Sequence, residues 1–497
     1  MSALAVRTPA PPSGRALLRR PARLGYPHAL LALTVLAAGL RMARLGATPL
    51  WRDEAFTGVL SQRSWREMLS AVGHDSAPPL WYLLSHLTAA VVAGPAGLRL
   101  PAALAGIAAV PLAAALGRRL GGDLAGLCSA AVVAFGPAFV LVSRDARMYS
   151  LAGTLVLAMV LALWRALEQP TRGRLGLFAL SVCLCLGTQY FAALAVIAAL
   201  AAAALLGAGT RRILLAVAAA AIGTLPVLGW LAMSPGQLAH AGSPFWVESS
   251  HPGMLWSVVV QFAGGPAIDA GNPWHLQLGS LQVISFSALV GGGLALLAAL
   301  VTGRHRRLPL QRRGIAFLGA CGFGGVALLL ALSVVRPLFE AKYASVLWDP
   351  VAPVAGCGLA CMPRLLRPLA PLSLTALAVA SSLLTVGVTR PDAAALAGTL
   401  SGAGSPHRLL VSDPADYLPL LYARGAEVHV LAGSVPWWWG VAAYPPGAIW
   451  SRLPPGVRDV EVVATRDSMP RLGGRLRPVE QRCAAEGVCA WRYREAG

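Results

Sequence analysis

The chain has 497 residues, of which 56% are hydrophobic and only 12% charged, and long charge-free runs recur between residues 27 and 388. Runs of roughly 20 apolar residues cross a bilayer as helices, so a soluble globular protein is excluded and a polytopic helical membrane protein is implied. A net charge of +20 would suggest nucleic acid in a soluble protein. Here it first reports which loops hold the Lys and Arg, because cytoplasmic loops attract them, and no nucleic-acid partner is expected.

Residues 1–26 carry Arg7, Arg15, Arg19, Arg20 and Arg23 among prolines and read as a disordered basic cytoplasmic tail. No small-residue cleavage site follows the first apolar run, which argues against a cleaved signal peptide. Residues 27–388 form the transmembrane module. Spans are expected at 27–46, 99–117, 123–142, 150–166, 174–190, 191–209, 213–233, 276–302, 314–335, 344–362 and 369–388, roughly eleven in all. Basic loops fall between alternate pairs: Arg118-Arg119, then Arg165 with Arg172 and Arg174, Arg211-Arg212, "GRHRRLPLQRRG" at 303–314 and "PRLLRP" at 363–368. Placing all of them in the cytoplasm requires that "PPLWYLLSHLTAAVVAG" (78–94) not span, although it is apolar enough, so it is laid in or near the outer interface. "LWRDEAFTG" (50–58), "SRDARMYS" (143–150), "GTQYFA" and "RPLFEAKY" (336–343) then share the outer face.

Residues 389–497 change character, with alternating runs such as "HRLLVSD" and "AEVHVLAG", turn dipeptides and a "PWWWG" patch. They read as a small extracytoplasmic α/β domain. Of eight cysteines, six lie in apolar segments. Cys483 and Cys489 lie in the tail, where an oxidising compartment permits a disulfide.

Charges at a membrane boundary are costly and default to a functional hypothesis. Asp53 and Glu54, beside Arg52, either cap an interfacial helix "EAFTGVLSQRSWREMLSAV" or provide a general base among cations that bind an anion. Asp145 is a second acid at the outer mouth or a local ion pair with Arg144 or Arg147. His74 and Asp75 line the same cleft or occupy a solvated turn. Arg99, opening the second span, snorkels or binds phosphate; Lys342-Tyr343 admits the same two readings. Gln189-Tyr190 is either a cleft wall or an aromatic-belt anchor.

"DEAFT", "HDSAPPLWYLL", "LRLPAALAG", "SRDARMYSL", "TQYFA" and "RPLFEAKYASVLWDPVAP" occur in this order. Over residues 27 to about 360 the series resembles the GT-C glycosyltransferases of the protein-O-mannosyltransferase and aminoarabinose-transferase type. The resemblance implies an all-α polytopic membrane bundle with interfacial helices, taking a mannose- or arabinose-like sugar from a polyprenyl-phosphate donor on the outer face, with inversion. It makes Asp53 the catalytic carboxylate and Asp145 the second-loop acid, with Arg147 and Tyr149 in the "ARMY" positions. Two positions depart from the family pattern, which more often has Glu at Asp145 and His at Gln189. The expected site is therefore Asp53, Glu54 and Asp145 as catalytic acids, Arg52, Arg99, Arg147 and Lys342 on the donor phosphate, and His74, Asp75, Tyr149, Gln189, Tyr190 and Tyr343 around the substrates. The acceptor is a protein, lipid or glycan. No cofactor is required, a divalent metal between Asp53 and Asp145 is open, and no His-x-x-x-His cluster supports one. The Arg-, Ala- and Gly-heavy usage points to a GC-rich bacterial genome, and the expected location is a bacterial plasma membrane. The rival readings are a transporter or flippase, which would carry charges in mid-span, and a membrane sensor using its tail domain.

Overall fold

The computed structural model of the chain describes residues 25–240, 247, 280–302, 310–363, 375, 379, 408–425, 428–465, 472, 476–483 and 488–495. The expected basic tail, the 303–309 loop and most of the last span lie outside them.

The membrane part is a helical bundle. Helix α1 (Tyr26–Met42) starts on Pro27 at its first turn, where the missing N–H costs nothing. Helix α5 (Gly94–Phe135) is continuous in hydrogen bonding but breaks at Gly121 and Gly122. Gly122 has φ 76°, a conformation open to glycine at little cost, and the chain doubles back there. A Cβ on Gly117 would run into Ser129, and one on Gly126 would meet the Ala114 carbonyl at 3.0 Å. The element is thus a close-packed hairpin, matching the two spans expected at 99–117 and 123–142. It runs on through α6 (Pro137–Val142).

Then come α7 (Tyr149–Glu168), α8 (Arg172–Thr188), α9 (Ala192–Leu205), α10 (Thr210–Met233), the short α11 (Pro235–His240), α12 (Ser280–Thr302) and α13 (Arg312–Val335). The tenth expected span is two pieces, α14 (Ala341–Trp348) and α15 (Val351–Ala360), broken at Asp349-Pro350. Among the described residues, 4 helices are individually long and apolar enough to cross a membrane: α5, α7, α10 and α13. Their neighbours are shorter apolar helices packed into the same core.

The two ends of the bundle differ in charge. At one end the Arg118 guanidinium lies 4.5 Å from the Tyr26 ring centroid, Arg119 pairs with Glu168 at 2.7 Å, and the Gln311 N–H donates to the Leu120 carbonyl. Those contacts gather the Arg118-Arg119 loop, the end of α7 and the start of α13 on one side, the pattern the positive-inside rule describes. The other end holds the elements between α1 and α5. These are α2 (Arg52–Ser61), α3 (Trp65–Val72) and α4 (Leu80–Val91). Helix α4 rises only about 18 Å, short of a bilayer core. Both its ends stay at this side: Trp81 donates to Thr57 of α2, and a Cβ on Gly97 at the head of α5 would run into the Val92 carbonyl. It lies flat.

One expectation is corrected here. The segment read as a single interfacial helix capped by Asp53 or Glu54 is two helices, and the cap of α2 is Trp51, with no side-chain bond. A Ser64–Glu67 capping box starts α3 and ends the continuity.

The C-terminal unit is a six-stranded sheet with one long helix, α16 (Pro414–Arg424). Its strands are β1 (Arg408–Val411), β2 (Val428–Leu431), β3 (Ile449–Trp450), β4 (Asp459–Thr465), β5 (Leu476–Cys483) and β6 (Val488–Glu495), in the order β3-β2-β1-β4-β6-β5. The first four are parallel neighbours and the last three antiparallel. Cys483 and Cys489 face each other in the β5–β6 hairpin and are joined. Helix α16 buries Tyr417, Leu418, Leu420 and Leu421 and packs on α2, where a Cβ on Gly58 would meet the Tyr422 ring at 2.7 Å.

Candidate active site

The loop after α1 and the loop before α7 are knitted through α2. Glu54 accepts two bonds from Arg99, both 2.7 Å, and a third from the Ala146 N–H at 2.8 Å. Thr57 donates to the Ala146 carbonyl, and the Trp51 indole donates to Asp145 at 2.8 Å. Arg99 also donates to the carbonyls of Leu45, Thr48 and Pro49, so all of its N–H donors are engaged. Glu54 and Arg99 are buried to 0% and 1% exposure. They hold the first loop against α5 and do not reach the cleft. The catalytic role expected of Glu54 and the phosphate role expected of Arg99 are therefore corrected to a buried ion pair that fixes the loop.

Asp53 is the next residue round the helix, and it faces out of this buried seam. Its Oδ1 lies 3.1 Å from Arg52 Nε and its Oδ2 3.6 Å from Lys342 Nζ, while Arg147 donates to its backbone carbonyl at 3.2 Å. It lines a small open cleft of roughly 60 Å³ with Arg52, Asp75, Ser76, Arg147, Tyr149, Lys342 and Tyr343. Burial pushes the Asp53 carboxyl up, but Lys342, Arg52 and Arg147 outweigh it and hold the pKa well below the usual carboxylate range. Asp75 goes the other way: burial raises its pKa, and Arg147 offsets that only in part. Arg147 keeps its proton firmly, because Tyr82, Asp53, Tyr149 and Asp75 outweigh its burial.

A second chamber of roughly 280 Å³ adjoins the first and shares Ser76, Arg147, Tyr149 and Tyr343 with it. Gln189 and Tyr190 line it, as do Phe191, Leu231, Leu238, Leu338 and Arg336. Tyr190 donates to Gln237, whose amide donates to the Val72 and Ala77 carbonyls.

Most of the expected residues thus converge, and two do not besides Glu54 and Arg99. His74 turns to solvent, with Nδ1 2.8 Å from the Ser70 carbonyl oxygen. Asp145 is buried at 6% exposure under the Trp51 indole. Arg144 donates to the carbonyls at the end of α1. Among the described residues no three His, Cys, Asp or Glu side chains form a metal cluster. Sequence reasoning missed Trp437, Trp438, Trp439, Gly440 and Leu418, which the C-terminal unit adds to the chamber walls, and also Arg336 and His240. The Trp triplet was the visible signal, but nothing local ties it to Asp53.

The bundle of flat and upright helices with a sheet unit over one end is shared with ArnT from Cupriavidus metallidurans. Against that protein in the apo state the TM-score is 0.65 at 14% identity, covering 93% of this chain and 97% of that one. Against the same protein bound to undecaprenyl phosphate the TM-score is 0.64, with the same identity and coverage. The chain has the ArnT fold. Residues 75–230 match the family described as dolichyl-phosphate-mannose-protein mannosyltransferase, a stretch that runs from Asp75 through the α5 hairpin and α7 to α10. No curated protein sequence matches the chain.

Proposed function

We propose that the chain is a polyprenyl-phosphate-dependent glycosyltransferase, working on the outer face of the membrane with its C-terminal unit on the same side. The observation that carries this reading is Asp53, a carboxylate ringed by Arg52, Arg147 and Lys342, at the junction of a polar cleft and a larger, more apolar chamber. Outside the membrane no nucleotide-sugar pool exists, so the activated sugar arrives on a lipid. The prenyl chain and phosphate fit the larger chamber, whose apolar wall of Leu231, Leu238, Leu338 and Phe191 also carries Arg147 and Arg336. Charge-assisted bonds from arginine suit a phosphate.

The chemistry needs little beyond this. The bond between the anomeric carbon and the phosphate oxygen breaks, and the phosphate leaves as an anion stabilised by the surrounding cations. The acceptor hydroxyl attacks the opposite face of that carbon, and its proton passes to Asp53. A carboxylate held below its usual pKa is a weak base, yet it is ionised at any ordinary pH. It takes the proton late, once bonding to carbon has made the hydroxyl acidic. The sugar is mannose- or arabinose-like on the family match, and inversion follows from a single displacement. Against the transporter reading, the described ionisable groups gather at the two ends of the helices, with Asp349 at the α14–α15 break as the exception.

Purified protein in lipid nanodiscs, given a polyprenyl-phosphate sugar and a mixture of acceptors, is expected to release polyprenyl phosphate only when acceptor is present, with inverted anomeric configuration by NMR. Lipid movement between leaflets without any release of phosphate would favour the transporter instead.

A further inference from the structure

The wall of the cleft opposite the membrane helices is the 3-10 turn Trp437–Trp439 of the C-terminal unit. Trp438 and Trp439 line the chamber that holds Asp53, whereas Trp437 lines the larger one. The triplet therefore straddles the ridge between the two chambers, and it is held firmly. Arg52 stands 4.4 Å from the Trp439 ring centroid, and Trp437 stacks on His240 at 4.3 Å and 11°. Gly440, with φ 76°, ends the turn so close to α2 that a Cβ would meet Phe56 at 2.8 Å and Leu418 at 2.9 Å. An aromatic wall placed this way on helix α2, which also carries Asp53, is part of the site.

The larger chamber has the apolar lining a prenyl chain needs, which leaves the Asp53 chamber for the acceptor. That space joins indole rings to polar and charged groups: Asp53, Asp75 and Ser76 beside the cations Arg52, Arg147 and Lys342. A lipid acceptor would call for aliphatic walls, and an extended peptide for unpaired backbone groups along an edge. A pyranose matches both features. Its C–H face packs against an aromatic ring, and its hydroxyls at the rim exchange hydrogen bonds with carboxylates, guanidinium and hydroxyl.

We propose that Trp438 and Trp439 form an acceptor subsite for a sugar ring, so that the acceptor hydroxyl belongs to a glycan. This rests on the transferase reading, and the test keeps the two apart. The full chain in nanodiscs is assayed at saturating donor with methyl glycosides of mannose and arabinose di- and trisaccharides, and in parallel with Ser/Thr peptides. Transfer is expected to the saccharides. Trp438→Ala should raise the acceptor KM about tenfold, the scale of one lost aromatic contact, with the loss falling on acceptor KM and not on donor KM; Trp438→Phe should recover most of it. Transfer to peptides but not to saccharides, or an acceptor KM unmoved by Trp438→Ala, overturns the subsite. If the wild type uses no lipid-linked donor with either class, the transferase reading fails. The subsite is then decided by tryptophan fluorescence: quenching by the trisaccharide that Trp438→Ala abolishes supports it, and no quenching overturns it.

Discussion

Asp53 and Glu54 are neighbours with opposite fates. Successive residues on a helix point about 100° apart, and α2 is set so that Glu54 faces α5 while Asp53 faces the cleft. The sequence displays both carboxylates beside Arg52, but which face of α2 meets Arg99 is decided by packing between residues 45 positions apart. That is why both acids, and Arg99 with them, read as machinery. Arg99→Ala leaves Glu54 charged and buried without its partner, a change that costs about 3–5 kcal/mol. It should appear as a lower melting temperature and poor yield, while donor KM in the surviving protein holds. A selective rise in donor KM with unchanged stability would return Arg99 to the cleft. The pH profile separates the two carboxylates that do reach it. Asp53 is held below the ordinary aspartate value of 3.8, so its ionised form persists as pH falls and is lost only on passing below that value. Asp75 is raised, so it would lose its charge above it. With Asp53 as the base, the acid limb of kcat/KM lies below the ordinary aspartate value. Lys342→Met, which removes the largest of the three cationic effects, moves that limb upward. A wild-type limb above the ordinary value that Lys342→Met does not shift would assign the base to Asp75.

At the scale of elements, the α5 hairpin and the flat α4 were legible, the first from the Arg118-Arg119 loop between two apolar runs and the second from charge bookkeeping alone. The split between α2 and α3 was not read from the sequence. "SWRE" at 64–67 has the spacing of a capping box, and the apolar periodicity running across it obscured the signal. Nor was the docking of α16 onto α2, because Gly58 and Tyr422 meet only through the tertiary fold. That contact is close enough to test. Gly58→Val places a branched side chain where a Cβ already meets the Tyr422 ring at 2.7 Å. It should lift α16 and the Trp turn from α2, seen as faster proteolysis between the two units and a fall in transfer of at least tenfold, on the order of the cost of overpacking. Wild-type resistance and activity in Gly58→Val would mean that the two units are not coupled through this seam.

Over the whole molecule, the membrane bundle follows from composition and loop charge, and the strands of the tail follow from their alternation, though not their parallel pairing. The site that the two parts form together does not, since Trp438 and Asp53 lie in different units and no local period links them. Sidedness is the molecule-wide claim on which the outer-face reading depends. In a cysteine-free background, Ser76→Cys should be labelled by an impermeant maleimide on intact cells, and Arg119→Cys only after the cells are opened. The reverse pattern would place the cleft in the cytoplasm. The most direct test of the account is single-turnover transfer from a polyprenyl-phosphate sugar by Asp53→Asn. This change keeps size and one acceptor oxygen but removes the proton-accepting charge. The rate of the chemical step should fall by at least ~100-fold, the scale of general-base removal, with donor binding and folding close to wild type. A chemical step at the wild-type rate in Asp53→Asn would contradict the account.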